Sequence, residues 1–129
     1  VPSPLQCAAL QYGSSFSRAV EIGTPEYRTL MVSGTASIEP GGATAHVDDV
    51  EKQIQLTMDV VEAILTSRGM GWQDATRAVM YLKKASYMDV WQSWLKAHRL
   101  ESMPLLTIEA DVCRDDLLVE LEVDTVKKV

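Results

Sequence analysis

The residues best suited to chemistry lie together near the C-terminus, in the run PLLTIEADVCRDDLLVELEVD (residues 104–124). Cys113 and Arg114 place a thiol beside a guanidinium, and Glu120 and Glu122 follow on an otherwise apolar stretch. Because side chains alternate along a strand, the two glutamates should project from the same face. A half-buried glutamate on such a strand would have a raised pKa and could act as a general acid or base. The run is interpreted as a hairpin of two strands joined by a tight polar turn.

Each of these residues also has a structural interpretation, which the sequence leaves open. Cys113 could be a small buried residue at a strand end, since free cysteine is among the most buried residue types. Alternatively its thiol lines a pocket with Glu120, because a turn between the two would bring both to one sheet edge. No histidine lies near Cys113 in the sequence, so a cysteine–histidine nucleophile is not predicted. The two glutamates could instead face solvent or form ion pairs with Arg18, Arg77 or Arg114.

Two other places could contribute to a ligand site. Ser33, Gly34 and Thr35 end a buried-type strand, where a glycine allows a ligand or another backbone to approach closely. Phe16 and Arg18 combine an aromatic ring with a cation near a predicted sheet edge. That pair could hold an anionic or planar ligand, although both places also fit ordinary packing.

The remaining sequence contains none of the common catalytic or metal-binding signatures. There is no glycine-rich phosphate loop and no GxSxG motif, and the two cysteines do not form a CxxC pair. The sequence therefore predicts neither a metal nor another cofactor. The net charge of −6 argues against nucleic acid as a partner, because phosphate contacts need a basic face.

The elements that must position these residues alternate between strands and helices. Strands are expected at residues 6–12, 16–22, 28–33 and 74–84, ahead of the C-terminal pair. Apolar residues spaced by three or four predict a long helix that ends near Arg68 and Gly69; they are Val47, Val50, Ile54, Met58, Val61 and Leu65. A second helix is expected after Ser86 and Asp89, which have capping-box spacing, with a core-facing stripe of Trp91, Trp94, Leu95 and His98.

Two amphipathic helices need one shared surface to cover, which predicts an α+β two-layer sandwich with a mixed sheet and both helices on one face. The 129 residues fit a single domain, residues 1–129. The last strand is interpreted as apolar on both faces, from Leu117, Leu118, Val119, Leu121 and Val123. The uncovered face of the sheet therefore predicts self-association.

The sequence contains no signal peptide and no apolar run of roughly 18 residues, so a cytoplasmic protein without membrane contacts is expected. Because the chain begins with Val1 rather than Met, we expect it to be processed, trimmed or the end of a longer polypeptide.

Three segments, MVSGTASIEP, VVEAILTSRGMGWQDATRAVMYLK and DDLLVELEVD, resemble the Rid (reactive intermediate deaminase, or YjgF-like) family over residues 16–124. The resemblance implies a chorismate-mutase-like α+β fold and homotrimers with small-molecule pockets in the clefts between subunits. The family's pocket aromatic, serine and water-positioning glutamate correspond to Phe16, Ser33 and Glu120. Its imine deaminases grip the substrate carboxylate with an arginine on the penultimate strand, where this chain has Leu105 and Leu106. That difference argues against hydrolysis of 2-imino acids.

The segments YGSSFSRA, SGTASI and ADVCRDDLLVE are also similar to the Rid-like C-terminal domain of chorismatases. This resemblance implies that Cys113 and Glu120 face the substrate and that the glutamate donates a proton. The predicted site therefore has Glu120 and Cys113 as catalytic residues, and the substrate-binding residues are Phe16, Arg18, Ser33, Gly34, Thr35 and Arg114. The predicted ligand is a small organic acid or an imine- or enamine-type metabolite. The alternatives are a non-catalytic binding trimer and, against the acidic charge, the ribonuclease activity often assigned to the family.

Overall fold

The computed structural model describes residues 1–8 and 16–129. Within them lie five strands and two α-helices: β1 (Ala19–Gly23), β2 (Tyr27–Thr35), α1 (Val50–Ser67), β3 (Ala75–Leu82), α2 (Met88–Ala97), β4 (Leu105–Glu109) and β5 (Val119–Lys128). Of the strand expected at residues 6–12, residues 9–12 lie outside the described part, and residues 6–8 are not in a strand.

The strands form one mixed sheet in the order β1-β2-β5-β3-β4, in which β3 and β4 are parallel and the other neighbours are antiparallel. This confirms the predicted fold class. The predicted C-terminal hairpin is wrong, because β3 lies between β4 and β5. Helix α2 is the crossover that parallel strands require, and it delivers β4 to the outer edge of β3. Residues 110–118 are therefore a connection that crosses β3, and not a tight turn.

Both helices pack on the same face of the sheet, as predicted. The α1 stripe is fully buried from Ile54 to Leu65, Val50 is partly buried, and the stripe packs in one core with Val119, Leu121 and Val123 of β5. Trp91 of α2 is also fully buried, and its indole Nε1 donates to Thr107 Oγ1 of β4 at 3.1 Å. The hydrophobic core therefore lies between the sheet and the two helices.

The helix ends differ from the sequence prediction. Helix α1 begins at Val50, with Asp49 Oδ1 accepting from Lys52 N at 3.0 Å, so Val47 lies outside the helix and is exposed. Ser86 does not cap α2, because a short 3₁₀ turn (Ala85–Tyr87) leads directly into it. His98 is exposed and stacks on Trp94, with the ring centroids 3.8 Å apart, so it is not a core residue.

No described segment covers the opposite face of the sheet. Its outer strands carry exposed apolar side chains, which are Val20, Ile22, Met31, Leu106 and Ile108. The prediction that the last strand is apolar on both faces is wrong, since the buried residues of β5 all face the helices and Glu120, Glu122 and Asp124 face the other way. The uncovered face is therefore apolar at its edges and polar at its centre.

Neither of the two α-helices in the described residues is long and apolar enough to cross a membrane.

Candidate active site

A cavity of about 520 Å³ opens at the end of the sheet where β2 and β5 meet. Seven of the eight residues singled out in the sequence line it: Phe16, Arg18, Ser33, Gly34, Cys113, Arg114 and Glu120. They come from four separate parts of the chain, namely the approach to β1, the end of β2, the connection 110–118 and the start of β5. The fold therefore brings together residues that are up to 104 positions apart, from 16 to 120.

Thr35 is the exception and does not line the cavity. It is fully buried, and its hydroxyl donates to Ser33 O at 2.8 Å. Thr35 pairs with Leu121, whose side chain faces the helices, so it lies on the covered side of the sheet. The register between β2 and β5 shifts between Val32 and Thr35, and this bulge re-aims the side chains that follow.

Gly34 and Glu120 are in direct contact within the cavity. A Cβ atom built on Gly34 would lie 2.9 Å from Cδ of Glu120 and 3.0 Å from its Oε2. A real Cβ would have to displace the carboxyl group. The absence of a side chain at Gly34 therefore allows the Glu120 carboxyl group to lie against the backbone of β2.

The Glu120 carboxyl is half-buried, and no described residue donates a hydrogen bond to it. Burial raises the pKa of Glu120 above its ordinary value, and the negative charge of Glu122 raises it further. This environment favours the protonated acid relative to a solvent-exposed glutamate. A carboxyl group in that state can donate a proton to a bound molecule, and its ionised form can accept one.

Glu122 lies on the same side of β5 but is held in a polar network. Tyr81 donates its hydroxyl to Glu122 Oε1 at 2.5 Å, and Arg77 donates to the same oxygen at 3.1 Å. The hydrogen bond to Glu122 raises the pKa of Tyr81. The ion-pair interpretation of the two glutamates therefore applies to Glu122, which pairs with Arg77, and among the described residues Glu120 forms no ion pair.

Arg18 and Phe16 form the wall next to β1. Arg18 is buried, its Nε donates to Cys7 O at 3.2 Å, and its guanidinium lies 5.2 Å from the centre of the Phe16 ring. This distance is within the range of a cation–π contact. Ser33 ties this wall to β2, since its hydroxyl donates to Ser17 O at 2.6 Å.

Cys113 and Arg114 form the opposite wall. Cys113 is exposed, so its interpretation as a buried packing residue is wrong. Arg114 Nη1 donates to Gly42 O at 2.8 Å and to Thr44 Oγ1 at 3.3 Å. The connection 110–118 is thereby fastened to the loop that follows β2.

The sequence did not single out the apolar part of the lining, which is Ala36, Ile38 and Leu117. An apolar residue type does not by itself indicate a ligand site, and only the segment SGTASI pointed to this part of the lining. Among the described residues, no group of three or more His, Cys, Asp or Glu side chains could hold a metal ion.

A larger, open groove of about 800 Å³ lies between α1 and α2, and residues including Gln55, Asp89, Trp94 and His98 line it. The indole N–H of Trp94 is already bonded, since Trp94 Nε1 donates to Gln55 Oε1 at 2.9 Å. The smaller cavity contains Glu120, whose pKa is raised by burial and whose carboxyl group has no hydrogen-bond donor among the described residues. We therefore place the candidate active site in the smaller cavity.

Together these features define a class of protein: a two-layer α+β domain with a half-buried carboxyl group in a cavity at the end of its sheet. The family model described as endoribonuclease L-PSP matches residues 7–127. The chain belongs to this family, which is the Rid or YjgF-like family that the sequence motifs resemble.

Two curated relatives from Streptomyces hygroscopicus are more specific. A chorismatase is 28% identical over 116 residues, which cover 83% of this chain and 33% of the relative. A 3-hydroxybenzoate synthase is 28% identical over 102 residues, which cover 72% of this chain and 30% of the relative. The chain thus spans about a third of the length of these relatives. A chorismatase crystal structure superimposes with a TM-score of 0.84 at 25% identity, over 97% of this chain and 42% of that one.

Solved structures of single-domain size share the fold. RidA from Psychrobacter sp. PAMC 21119 has a TM-score of 0.79 at 19% identity, covering 97% of this chain and 96% of that one. Escherichia coli TdcF, solved with bound serine, has a TM-score of 0.75 at 17% identity, covering 98% of this chain and 97% of that one. At these identities the likeness establishes the fold alone.

Proposed function

We propose that the cavity is the active site of a small-molecule enzyme in which Glu120 transfers a proton to an organic acid or an imine- or enamine-type metabolite, or activates water for attack on it. The observation that carries this proposal is the Glu120 carboxyl itself, which is half-buried, in contact with Gly34 and without a hydrogen-bond donor among the described residues. Structural carboxylates in a fold are normally hydrogen-bonded when buried, as Glu122 is here.

The charges of the lining residues favour an anionic ligand. Arg18 and Arg114 contribute two positive charges and Glu120 one negative charge at most, in a chain whose net charge is −6. We assign the two arginines to attraction of a carboxylate, and Phe16 and Ser33 to contact with the body of the ligand. Cys113 lines the reacting region beside them. Thr35 supports the cavity from behind and is not assigned a contact.

The names of the curated relatives suggest the type of acid. Chorismatase and 3-hydroxybenzoate synthase are named for carboxylic acids with a six-membered ring. The segment ADVCRDDLLVE, which contains Cys113 and Glu120, also resembles the chorismatases. We infer that an unsaturated or aromatic carboxylic acid is the better candidate class, and that 2-imino acids are the weaker one because Leu105 and Leu106 replace the family's arginine.

We also propose that the chain assembles as a homotrimer, with the cavity completed at a cleft between subunits. The support is the uncovered sheet face with its exposed apolar side chains on β1, β2 and β4. An RNA substrate, which the family description would suggest, is disfavoured by the acidic chain. If RNA were the substrate, the affinity of the protein for RNA would fall steeply as the salt concentration rises.

Substitution of Glu120 by Gln tests the catalytic role. Wild-type protein and the variant would be incubated with a panel of small acids that includes chorismate and 2-imino acids generated in the assay, with product detection by mass spectrometry. We expect the variant to lose about 10²–10⁴-fold in rate, the usual contribution of a general acid or base, while ligand affinity and oligomeric state are kept. Full activity in the Gln variant would refute the assignment.

A second candidate function is a binding trimer without turnover, which the absent arginine on β4 favours. In that case the panel would yield ligands that stabilise the wild-type protein against heat with no product. Ligand stabilisation of both wild-type protein and the Gln variant, without turnover, would select this alternative.

A further inference from the structure

Gln53 is the one residue of the α1 core face with an amide side chain, and it is fully buried beneath the cavity without lining it. A buried amide is costly unless its donors and acceptor are hydrogen-bonded. On the same face and one turn later, the hydroxyl of Thr57 is equally buried and has no hydrogen-bond partner in the part of the chain that the structure describes. Gln53 and Thr57 are therefore equally buried, and they differ in the hydrogen bonds that their side chains form.

The Gln53 amide bonds two separate loops. Its Oε1 accepts from Leu118 N at 2.9 Å, and its Nε2 donates to Asp116 O at 2.9 Å. The same Nε2 donates to His46 O at 3.2 Å, in the loop that leads into α1. A glutamine amide has two N–H donors and one carbonyl acceptor, so all its hydrogen-bonding groups are used.

These hydrogen bonds hold the segment that forms one wall of the cavity. Asp116 and Leu118 flank Leu117, a lining residue, and Glu120 follows two positions after Leu118. The same wall is fastened at its outer side, because Thr44 Oγ1 donates to Asp116 Oδ1 at 2.8 Å. Gln53 is thus the buried end of a connection between helix α1 and the segment that runs from Cys113 to Glu120.

We propose that Gln53 is a positioning residue that sets the placement of Cys113 and Glu120 by holding residues 116–118 against α1. The proposal rests on the proposed function, since the wall it fixes belongs to that site. Its loss would loosen the wall locally and admit water to the Glu120 carboxyl, with the sheet core left intact.

The test compares Gln53→Met with Thr57→Val, a matched change of a buried polar residue on the same helix face. Hydrogen exchange of backbone amides and ¹³C NMR titration of Glu120 are measured on the intact chain, so neither readout needs a substrate. For Gln53→Met we expect exchange at Leu118 to accelerate at least tenfold more than at Leu121 and Val123, and the pKa of Glu120 to fall towards its ordinary value. Thr57→Val should leave both quantities unchanged.

Uniform acceleration throughout β5, or a Glu120 pKa equal to that of Thr57→Val, would overturn the proposal. Failure of the proposed function is distinguishable, since absence of turnover in the wild-type protein would leave these two readouts as expected.

Gln53→Glu provides a second variant if Gln53→Met does not fold. Burial raises the pKa of a carboxyl group, so the new side chain is protonated in the folded state at low pH and can then accept from Leu118 and donate to one carbonyl. As pH rises through that raised pKa, the ionised carboxylate faces the carbonyl oxygens of Asp116 and His46 and the stabilisation is lost. We expect the protection factor of Leu118, relative to wild type at the same pH, to recover as pH falls from 8 to 5. A wild-type protection factor at every pH would contradict the role.

Discussion

At the residue scale, the contact between Gly34 and Glu120 allows the position of the Glu120 carboxyl group to be changed without unfolding the protein. The atoms that a Gly34 Cβ would meet are the far end of a flexible side chain, and the backbone of Gly34 is not in the left-handed region. A methyl group there can be accommodated by moving the carboxyl group. The structure is preserved in that case, and the placement of Glu120 is what changes.

We therefore predict that Gly34→Ala lowers catalytic rate about 10–100-fold, since a displacement near 1 Å of a reacting group costs that much. The free energy of unfolding should change by less than about 1 kcal/mol, within the range of strain that a side-chain adjustment relieves. Gly23→Ala is the control, because nothing lies within 4 Å of a Cβ at that position. Activity assays and urea denaturation of both variants provide the comparison. A Gly34→Ala variant with wild-type rate would contradict the proposed geometry.

The raised pKa of Glu120 also predicts a dependence of stability on pH. The folded-state pKa lies above the unfolded value, so the carboxyl group favours folding below the unfolded pKa and this contribution is lost as pH rises through the folded pKa. We expect Glu120→Gln to be more stable than the wild type at neutral pH and the difference to vanish in acid. Thermal denaturation of both proteins between pH 4 and 8 measures this. A Gln variant that is less stable at neutral pH would indicate that Glu120 holds the fold together and would count against its catalytic role.

At the element scale, helix α2 decides which strands are neighbours. It connects β3 to β4 as a parallel crossover, and the buried Trp91 ties it to Thr107 of β4. The indole N–H of Trp91 has this hydroxyl as its partner, so the edge strand is fixed to the helix by one polar contact within an apolar interface.

We predict that Thr107→Val destabilises the protein by about 1–3 kcal/mol, because it leaves the buried indole donor unsatisfied while keeping the side chain's shape. Thr107→Ser keeps the hydroxyl and should cost less. Urea denaturation measures both variants, and NMR titration of Glu120 should give an unchanged pKa, since β4 does not line the cavity. Equal costs for the two variants would show that the hydrogen bond contributes little.

The sequence predicts helices, strands and their buried faces better than it predicts which strands are neighbours in the sheet. The stripe of α1 from Val50 onward and the alternation of Glu120 and Glu122 depend on local periodicity, and both are present in the structure. The polar run 110–118 has a turn-like composition whether it joins neighbouring strands or crosses β3, so its composition does not distinguish a hairpin from a crossing connection. Thr35 was misplaced because the bulge at Ser33 and Gly34 breaks the alternation. The role of Gln53 depends on partners 63 and 65 residues away, which no local pattern encodes.

At the scale of the whole molecule, the uncovered face of the sheet has to be reconciled with its polar centre. Arg77 pairs with Glu122 and Asp124, and Tyr81 donates to Glu122, so of the described acidic side chains of β5 on this face only Glu120 would be desolvated without an ion pair. The surrounding apolar side chains supply the area that favours association. Leu106 is the most exposed of them, with 60% of its surface accessible, and Ile108 lies beside it on the same face of β4.

We predict that Leu106→Glu shifts the proposed trimer towards monomer, because a buried unpaired carboxylate is costly at an interface. Val47→Glu is the matched control, since Val47 is 53% exposed in the loop before α1 and the change in charge is the same. Sedimentation velocity at micromolar concentration would distinguish the 14.3 kDa chain from an assembly three times that mass. Equal effects of the two substitutions would place the interface elsewhere, and a wild-type monomer would remove the trimer from the proposal. If Leu106→Glu abolishes ligand binding together with assembly while the folded monomer retains the cavity, a neighbouring subunit must supply part of the site.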